Sequence, residues 1–307
     1  MAETFAISGT GYSGRIVQKV GERSPSIKVG PMSPIGMFDS GVGGLTVLKE
    51  VAKQLPMEDV IYFADTARVP YGGRTPNEIV KFNYEIINYL VSLGAKMIIM
   101  ACGTSSAIAY PLVKDRYNIP IVSLIEPGSS AAVRVTKNKK IGLIATQATV
   151  DSSAYQRTIK RLNKDIKVSA AACPLFVPLI EGGFIDAEET KRTAVQYLKP
   201  LLKAGIDTLI LGCTHYPHLI KILREVTGMS VRFVDPAEET VSEAKKLLSS
   251  KGLIATRQGS QFKDKYDFYV SGSTVQFQDV GGRLMGQPLA NVKKANISKA
   301  GRITAAR

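Results

Sequence analysis

Residues 96–113 read KMIIMACGTSSAIAYPLV. An apolar run, Met97 to Met100, ends at Ala101 and a thiol, Cys102. Small hydroxyl-bearing residues follow and lead into a second apolar stretch. A short buried-strand signal that passes through a polar turn into a helical pattern is the opening of a βαβ unit. The same order of events recurs in PIGMFDSGVGGLTVLKEV (34–51), VIYFADTARVPYGG (60–73), IPIVSLIEPGSSAAVRV (119–135), KIGLIATQATVDSSAYQRTI (140–159) and TLILGCTHYPHLIKILREV (208–226). Strands alternating with amphipathic helices predict an α/β fold with parallel sheets covered by helices. Such sheets hold their ligands just past the carboxyl ends of the strands, which is where each of these polar turns falls.

The chain also resembles itself. IGMFDSGVGGL (35–45) echoes IGLIATQATVD (141–151), and MIIMACGT (97–104) echoes LILGCTH (209–215). Two related α/β halves are expected to face each other about an approximate two-fold axis, each placing one strand-end cysteine at a shared cleft. The expected crossovers between them are IEPGSS (125–130) and VDPAEE (234–239), each with a proline that favours a bend.

Composition narrows the class. The 307 residues are 45% hydrophobic and 21% charged, enough for one large or two mid-sized domains with a sizeable core. No apolar run approaches the roughly 18 residues of a membrane span, and the N-terminus lacks a basic region leading into an apolar one. Cys102, Cys173 and Cys213 are the three cysteines. So sparse and odd a set argues against a disulfide framework and for a reducing cytoplasm.

The net charge of +14 is weighted toward the C-terminal end, where residues 287–307 carry five Lys or Arg and no acid. That segment reads as a solvated, partly disordered basic tail. A nucleic-acid or other acidic partner is the alternative, although no aromatic residues interleave the charges. Residues 1–33 read as a flexible N-terminal extension. Gly9, Gly11 and Gly14 form a G-x-G-x-x-G there, but without the following strand and acid that a dinucleotide site needs.

Cys102 and Cys213 each end an apolar run and precede residues expected to open a helix. A helix N-terminus offers unpaired N–H groups and the positive end of a dipole, which lowers a thiol pKa from about 8.5 and attracts carboxylates. One such cysteine suggests a nucleophile. Two, from opposed halves, suggest a proton acceptor and a proton donor on opposite faces of one carbon, beside a carboxylate. His215 can assist Cys213, and Asp39, ending the first strand, is the counterpart for Cys102. Asp39 also reads as a plain cap for the helix beginning near Gly43. The turn in residues 62–76 offers backbone N–H groups for a carboxylate. Cys173 reads as core filler. Cys213, His215 and His218 make a C-x-H-x-x-H cluster, so a metal site stays open beside the acid/base reading, as does a buried strand end with no chemistry.

Taken in order, FDSGVGGLTV, FADTARVPYG, ACGTSSA, CPLFVPLIEGG and LGCTHYPHL resemble the glutamate racemases, the cofactor-independent, two-cysteine branch of the aspartate/glutamate racemase superfamily. The resemblance spans about residues 34–286. It implies two flavodoxin-like, doubly wound domains with the site between them: residues 34–126 completed by 238–286, and residues 127–237. It implies acid/base roles for Cys102, acting on D-glutamate, and Cys213, acting on L-glutamate. Asp39 would support Cys102, and His215, backed by Glu181, would support Cys213. Asp39, Ser40, Tyr71, Gly72, Gly103, Thr104, Thr149 and Thr214 would form the substrate site. It further implies no metal and no cofactor, glutamate as the small-molecule partner, a homodimer, no membrane or nucleic-acid partner, and D-glutamate supplied to bacterial peptidoglycan. His215 is similar to the glutamate branch, since relatives acting on aspartate commonly carry Glu at that place.

One position departs from the pattern. The family usually reads Ala-Cys-Asn-Thr where this chain has Ala101, Cys102, Gly103 and Thr104. A lost hydrogen bond to a charged group costs about 1.5–3 kcal/mol, or roughly 10–150-fold in affinity. Two alternatives stand beside glutamate racemisation: a racemase of another amino acid or acidic analogue, motivated by Gly103, and a binding or regulatory protein that uses the basic tail, motivated by the charge of residues 287–307.

Overall fold

In the computed structural model, which describes residues 2–6, 15–19, 28–256, 265–298 and 301–306, each apolar run singled out above becomes a strand. A seven-stranded sheet contains β3 (Ile35–Asp39), β4 (Val60–Ala64), β5 (Met97–Met100), β6 (Ile121–Ser123), β11 (Tyr266–Val270), β12 (Val292–Ile297) and β13 (Ile303–Ala305), in the order β13-β12-β11-β4-β3-β5-β6. A four-stranded sheet contains β7 (Lys140–Ala145), β8 (Lys167–Ala172), β9 (Thr208–Leu211) and β10 (Arg232–Val234), in the order β10-β9-β7-β8. Within these two sheets all pairings are parallel except that of β13 on β12.

Counted from their own first strands, the β3–β6 block and the four-stranded sheet share the order second, first, third, fourth, which is the flavodoxin-like winding. The two echoes in the sequence therefore pair equivalent strands, β3 with β7 and β5 with β9. In this winding the chain reverses direction between the first and third strands, and a crevice opens at their carboxyl ends. Asp39 ends and Cys102 follows the strands of one such pair, and Thr146 and Cys213 follow those of the other.

β3, β4, β5 and β9 are buried along their whole length, as helices on both faces require, so they read as unbroken apolar runs. The covering helices include α1 (Leu45–Gln54), α2 (Pro76–Ser92), α3 (Gly103–Ile108), α4 (Tyr110–Val113), α5 (Ile125–Val135), α6 (Gln147–Ser152), α7 (Ala154–Leu162), α8 (Phe176–Glu181), α9 (Glu188–Lys203), α10 (Ile220–Thr227), α11 (Pro236–Ser250) and α12 (Thr274–Met285). α2 shows why its start is sharp. Thr75 accepts the Glu78 N–H, Glu78 returns a bond to the Thr75 N–H, and Pro76 takes the first helical position.

α5 carries the chain from the large sheet to the small one, and α11 carries it back. Both expected boundaries, 126/127 and 237/238, fall inside the first turns of these helices. The prolines of IEPGSS and VDPAEE begin helices rather than bends, because a first-turn N–H has no intrahelical partner to lose. The two linkers touch: a Cβ on Gly128 would lie 2.9 Å from Pro236 Cβ.

Two expectations about the ends change. The described residues of 287–307 do not form a solvated tail, since β12 and β13 extend the large sheet and bury Ala295 and Ile303. The two lysines of β12 have partners: Lys293 Nζ lies 2.8 Å from Asp267 Oδ1, and Lys294 Nζ donates to the Ser271 carbonyl at 2.7 Å. The free basic surface that motivated an acidic partner is thereby reduced. At the other end, Ala2–Ala6 (β1) and Arg15–Lys19 (β2) pair antiparallel. The Gly9, Gly11, Gly14 pattern lies outside the described residues.

Candidate active site

The carboxyl ends of the two sheets enclose a cleft of about 740 Å³. Both strand-end cysteines line it, Cys102 from the large sheet and Cys213 from the small one. Asp39, Ser40, Tyr71, Gly72, Gly103 and Thr104 line it from the first half, and Glu181, Thr214 and His215 from the second or from the strand ends opposite.

Thr149 does not. It is fully buried behind the wall, with its hydroxyl 2.9 Å from Thr146 Oγ1. Thr146 is the residue at the surface of the cleft, and its hydroxyl also meets Thr104 Oγ1 at 2.8 Å, joining the two halves. Thr146 caps α6, and the cap residue faces the strand-end crevice while the residue three further on turns back into the helix. Gln147, an apolar wall of Val69, Pro174, Val177 and Pro178, and Cys173, expected only as core filler, also line the cleft. Cys173 is thus both fully buried and part of the cleft wall.

Cys102 holds the cap position of α3, as its sequence context suggested. Its thiol is nevertheless not lowered. Burial pushes it up to about 12, the Asp39 charge pushes the same way, and hydrogen bonds from Ser105 only partly oppose them. In so dry a position desolvation outweighs the end of a short helix. The Cys102 thiol is 3.8 Å from Ser40 Oγ. Asp39 is 1% exposed and accepts N–H groups from Gly41 at 3.1 Å and Gly44 at 3.0 Å on one oxygen. It therefore does both things the sequence allowed, binding amides at the start of α1 and standing beside Cys102. Burial raises its carboxyl above the usual range, against the pull of His215 and of the N–H groups of Gly44, Gly41 and Ser40.

Cys213 is not at a helix start. A turn leads into a tight helical turn over Tyr216–Leu219, and α10 begins only at Ile220. Pro217 fits that first turn but displaces the helix from the thiol. What manages charge here is a side chain. His215 Nδ1 is 3.8 Å from Cys213 Sγ, and Nε2 is 2.8 Å from Glu181 Oε1. Burial disfavours a charged ring, but the bonds to Cys213 and Glu181, with the charges of Cys213 and Asp39, raise His215 to about 10. A protonated ring donates from both nitrogens, which matches two acceptors on opposite sides. Arg283 Nη2, from α12, donates to the Glu181 backbone carbonyl at 2.6 Å and holds the end of α8 in place.

His218 takes no part. Burial, Lys49 and His215 lower it to about 4, and its Nε2 has no hydrogen-bond partner. Among the described residues no group of three or more His, Cys, Asp or Glu is arranged to hold a metal, so Cys213, His215 and His218 do not form one.

The far end of the cleft is the Tyr71–Gly73 turn. The Tyr71 hydroxyl points away from the cleft and donates to Asp65, which also receives Arg68 Nε at 2.6 Å and Ser271 Oγ at 2.8 Å. This buried network fixes the turn, so what the turn presents to the cleft is backbone and Gly72. Among the described residues no helix is long and apolar enough to cross a membrane.

Comparison with known proteins agrees with this geometry. A family model described as Asp/Glu/Hydantoin racemase matches residues 35–244. The glutamate racemase of Geobacter metallireducens is 44% identical over 269 residues, which cover 87% of this chain and 98% of that protein. The crystal structure of glutamate racemase isoform RacE1 from Bacillus anthracis superposes with a TM-score of 0.81 at 35% identity, covering 87% of this chain and 98% of that one. The Francisella tularensis glutamate racemase, solved in complex with D-glutamate, gives a TM-score of 0.79 at 35% identity over 85% of this chain and 97% of its own.

Proposed function

The chain belongs to the Asp/Glu/Hydantoin racemase family, and from that premise we propose that it interconverts L- and D-glutamate by moving a proton across the α-carbon. The observation that carries the proposal is one cleft lined by two strand-end thiols, one from each sheet. The relatives named glutamate racemase and the neighbour holding D-glutamate support the choice of substrate.

In the proposed reaction, Cys213 as thiolate removes the α-proton of L-glutamate. The electron pair left on carbon delocalises into the α-carboxylate. Cys102, a thiol at rest, delivers its proton to the opposite face, giving D-glutamate, a Cys102 thiolate and a Cys213 thiol. Protons balance within the site, and solvent exchange or the reverse reaction resets it. His215, held protonated against Glu181, stabilises the Cys213 thiolate before transfer. Asp39, a carboxyl buried beside Cys102 and held by the N–H groups of Gly41 and Gly44, supports proton exchange at Cys102. Ser40, Gly72, Gly103, Thr104 and Thr214, with Thr146 in place of Thr149, bind the carboxylates and ammonium. A product of this kind supplies D-glutamate to peptidoglycan.

Incubation with L-glutamate in deuterated water tests the reading. Deuterium at the α-carbon and accumulation of D-glutamate are expected; no label would remove the proposal. A related amino acid or acidic analogue is the second reading, favoured by Gly103, and competition of dicarboxylates in the same assay decides between them. We also place the enzyme in the cytoplasm, which its three free cysteines support. The homodimer rests on the resemblance, and sedimentation as a monomer would remove it.

A further inference from the structure

Gly103 follows one thiol and Gly212 precedes the other, and the two glycines touch across the seam between the sheets. A Cβ on Gly103 would lie 2.2 Å from the Gly212 carbonyl oxygen, 3.3 Å from its carbonyl carbon and 3.7 Å from Cys213 Cα. Carbon–oxygen contacts settle near 3.3–3.6 Å, so a side chain here must move that carbonyl by about 1 Å. Neither residue has positive φ, so it is the contact, not backbone freedom, that requires glycine at 103.

Gly212 has no room for a side chain of its own, and its backbone is bonded in place. Its own Cβ position meets Leu143 Cδ1 at 2.8 Å, the Ile144 carbonyl oxygen at 2.9 Å and Ala145 Cβ at 3.1 Å. Its N–H is bound to the Ile144 carbonyl at 2.8 Å. The other flank of the same peptide is equally close. A Cβ on Gly43 would lie 2.3 Å from His215 Nδ1 and 2.6 Å from Thr214 Oγ1, and Thr46 Oγ1 donates to the Thr214 carbonyl at 3.0 Å. Residues 212–215 therefore sit in a slot of the first half, with glycine backbone on both walls.

We propose that Gly103 is a positioning residue that sets the separation of Cys102 and Cys213 across the substrate, by letting the two thiol-bearing peptides lie backbone against backbone. The inference rests on the racemase reading above. It gives the departure from the usual Ala-Cys-Asn-Thr pattern a gain as well as a loss: the chain gives up an amide side chain and closes the seam on Gly212.

The two views of Gly103 predict opposite results for one substitution. If the position is only a vacated hydrogen bond, Gly103→Asn restores a grip on glutamate and lowers KM. If Gly103 is a spacer, Asn wedges the halves apart. A misplacement of about 1 Å can cost on the order of 10²-fold, and the loss falls on kcat while KM for glutamate changes little. Gly103→Ala, which adds one methyl and no polar group, is expected to give the same sign. Both variants are measured for kcat and KM in each direction, with thermal melts beside the unaltered enzyme.

Retention of kcat in either variant overturns the inference. Failure of Gly103→Ala to fold also overturns it, because the contact would then belong to a core and not to a seam between halves. An unaltered enzyme that exchanges no α-proton removes the racemase reading and this inference together. An active enzyme with active variants removes this inference alone.

Discussion

The two thiols occupy equivalent places and live in opposite electrostatic surroundings. Each follows the third strand of its own sheet, and each lines the same cleft. Cys102 faces a buried carboxyl, Asp39, and burial keeps it a thiol. Cys213 faces the His215 imidazole, which its bonds to Cys213 and Glu181 raise to about 10. Repeating a fold placed the sulfurs symmetrically; what differs is the group beside each, Asp39 at Cys102 and His215 at Cys213.

Removing either sulfur is the severest way to break the comparison. Cys102→Ala and Cys213→Ala should each lower racemisation by about 10³-fold or more, in the upper part of the range for acid–base groups. Chiral assay in both directions checks this, and substantial turnover in either variant would mean that one thiol suffices.

The neighbours come next. Asp39→Asn and His215→Gln should each cost about 10²-fold, and they sharpen the comparison by direction. Enantiomers have equal free energies, so kcat/KM must fall equally for L- and D-glutamate in any variant. Only kcat and KM taken singly can differ. His215→Gln is expected to depress kcat more with L-glutamate, Asp39→Asn more with D-glutamate. Equal losses in both directions for both variants would mean that the two neighbours do not divide the work.

Stability against pH reads the same difference without substrate. His215 is raised in the folded chain, from 6.5 to about 10. The folded state thus holds a proton that the unfolded state has released, and stability falls as pH rises through that window. Cys102, raised from 9.0 to about 12, acts in the same sense but only above pH 9. The melting temperature should therefore drop by about 5 °C or more between pH 6.5 and 9, and His215→Gln should flatten that slope. An equally steep slope in the variant would place the titrating group elsewhere.

What the sequence revealed follows the same physics. The strands flanking the crevices are buried on both faces, so β3, β5, β7 and β9 stand out as apolar runs. β8 is partly exposed along most of its length, and β10 is a short edge strand. β12 carries Lys293 and Lys294 on an outer strand, so its charge read as a tail. The thiols were legible because they end central strands, but their protonation was not. The sequence shows a helix start after Cys102; it does not show that the thiol is dry enough for burial to win. Likewise Thr146 and Thr149 differ only by which face of one helical turn meets the cleft. Glu181 lies far from His215 in the chain, and no local pattern joins them.

The third cysteine gives the smallest and most discriminating effect. Cys173 also follows a strand of the small sheet and also lines the cleft, so nearness to substrate alone does not separate it from the other two. Its strand is β8, the second of the winding and an edge of the sheet, outside the crevice between β7 and β9. Burial, with Cys213 adding to it, pushes its thiol far up, and its sulfur lies 3.6 Å from the Ala171 carbonyl. It has no partner comparable to His215 or Asp39, and its cleft neighbours include Pro174, Val177 and Pro178. Cys173→Ala should therefore remove packing and leave the proton path intact. A loss of about 1 kcal/mol corresponds to a melting temperature lower by roughly 2–4 °C, with kcat within about twofold of the unaltered enzyme. A well-folded variant without turnover would show that lining the cleft is enough to make a thiol essential, and the contrast between partnered and unpartnered sulfur would lose its force.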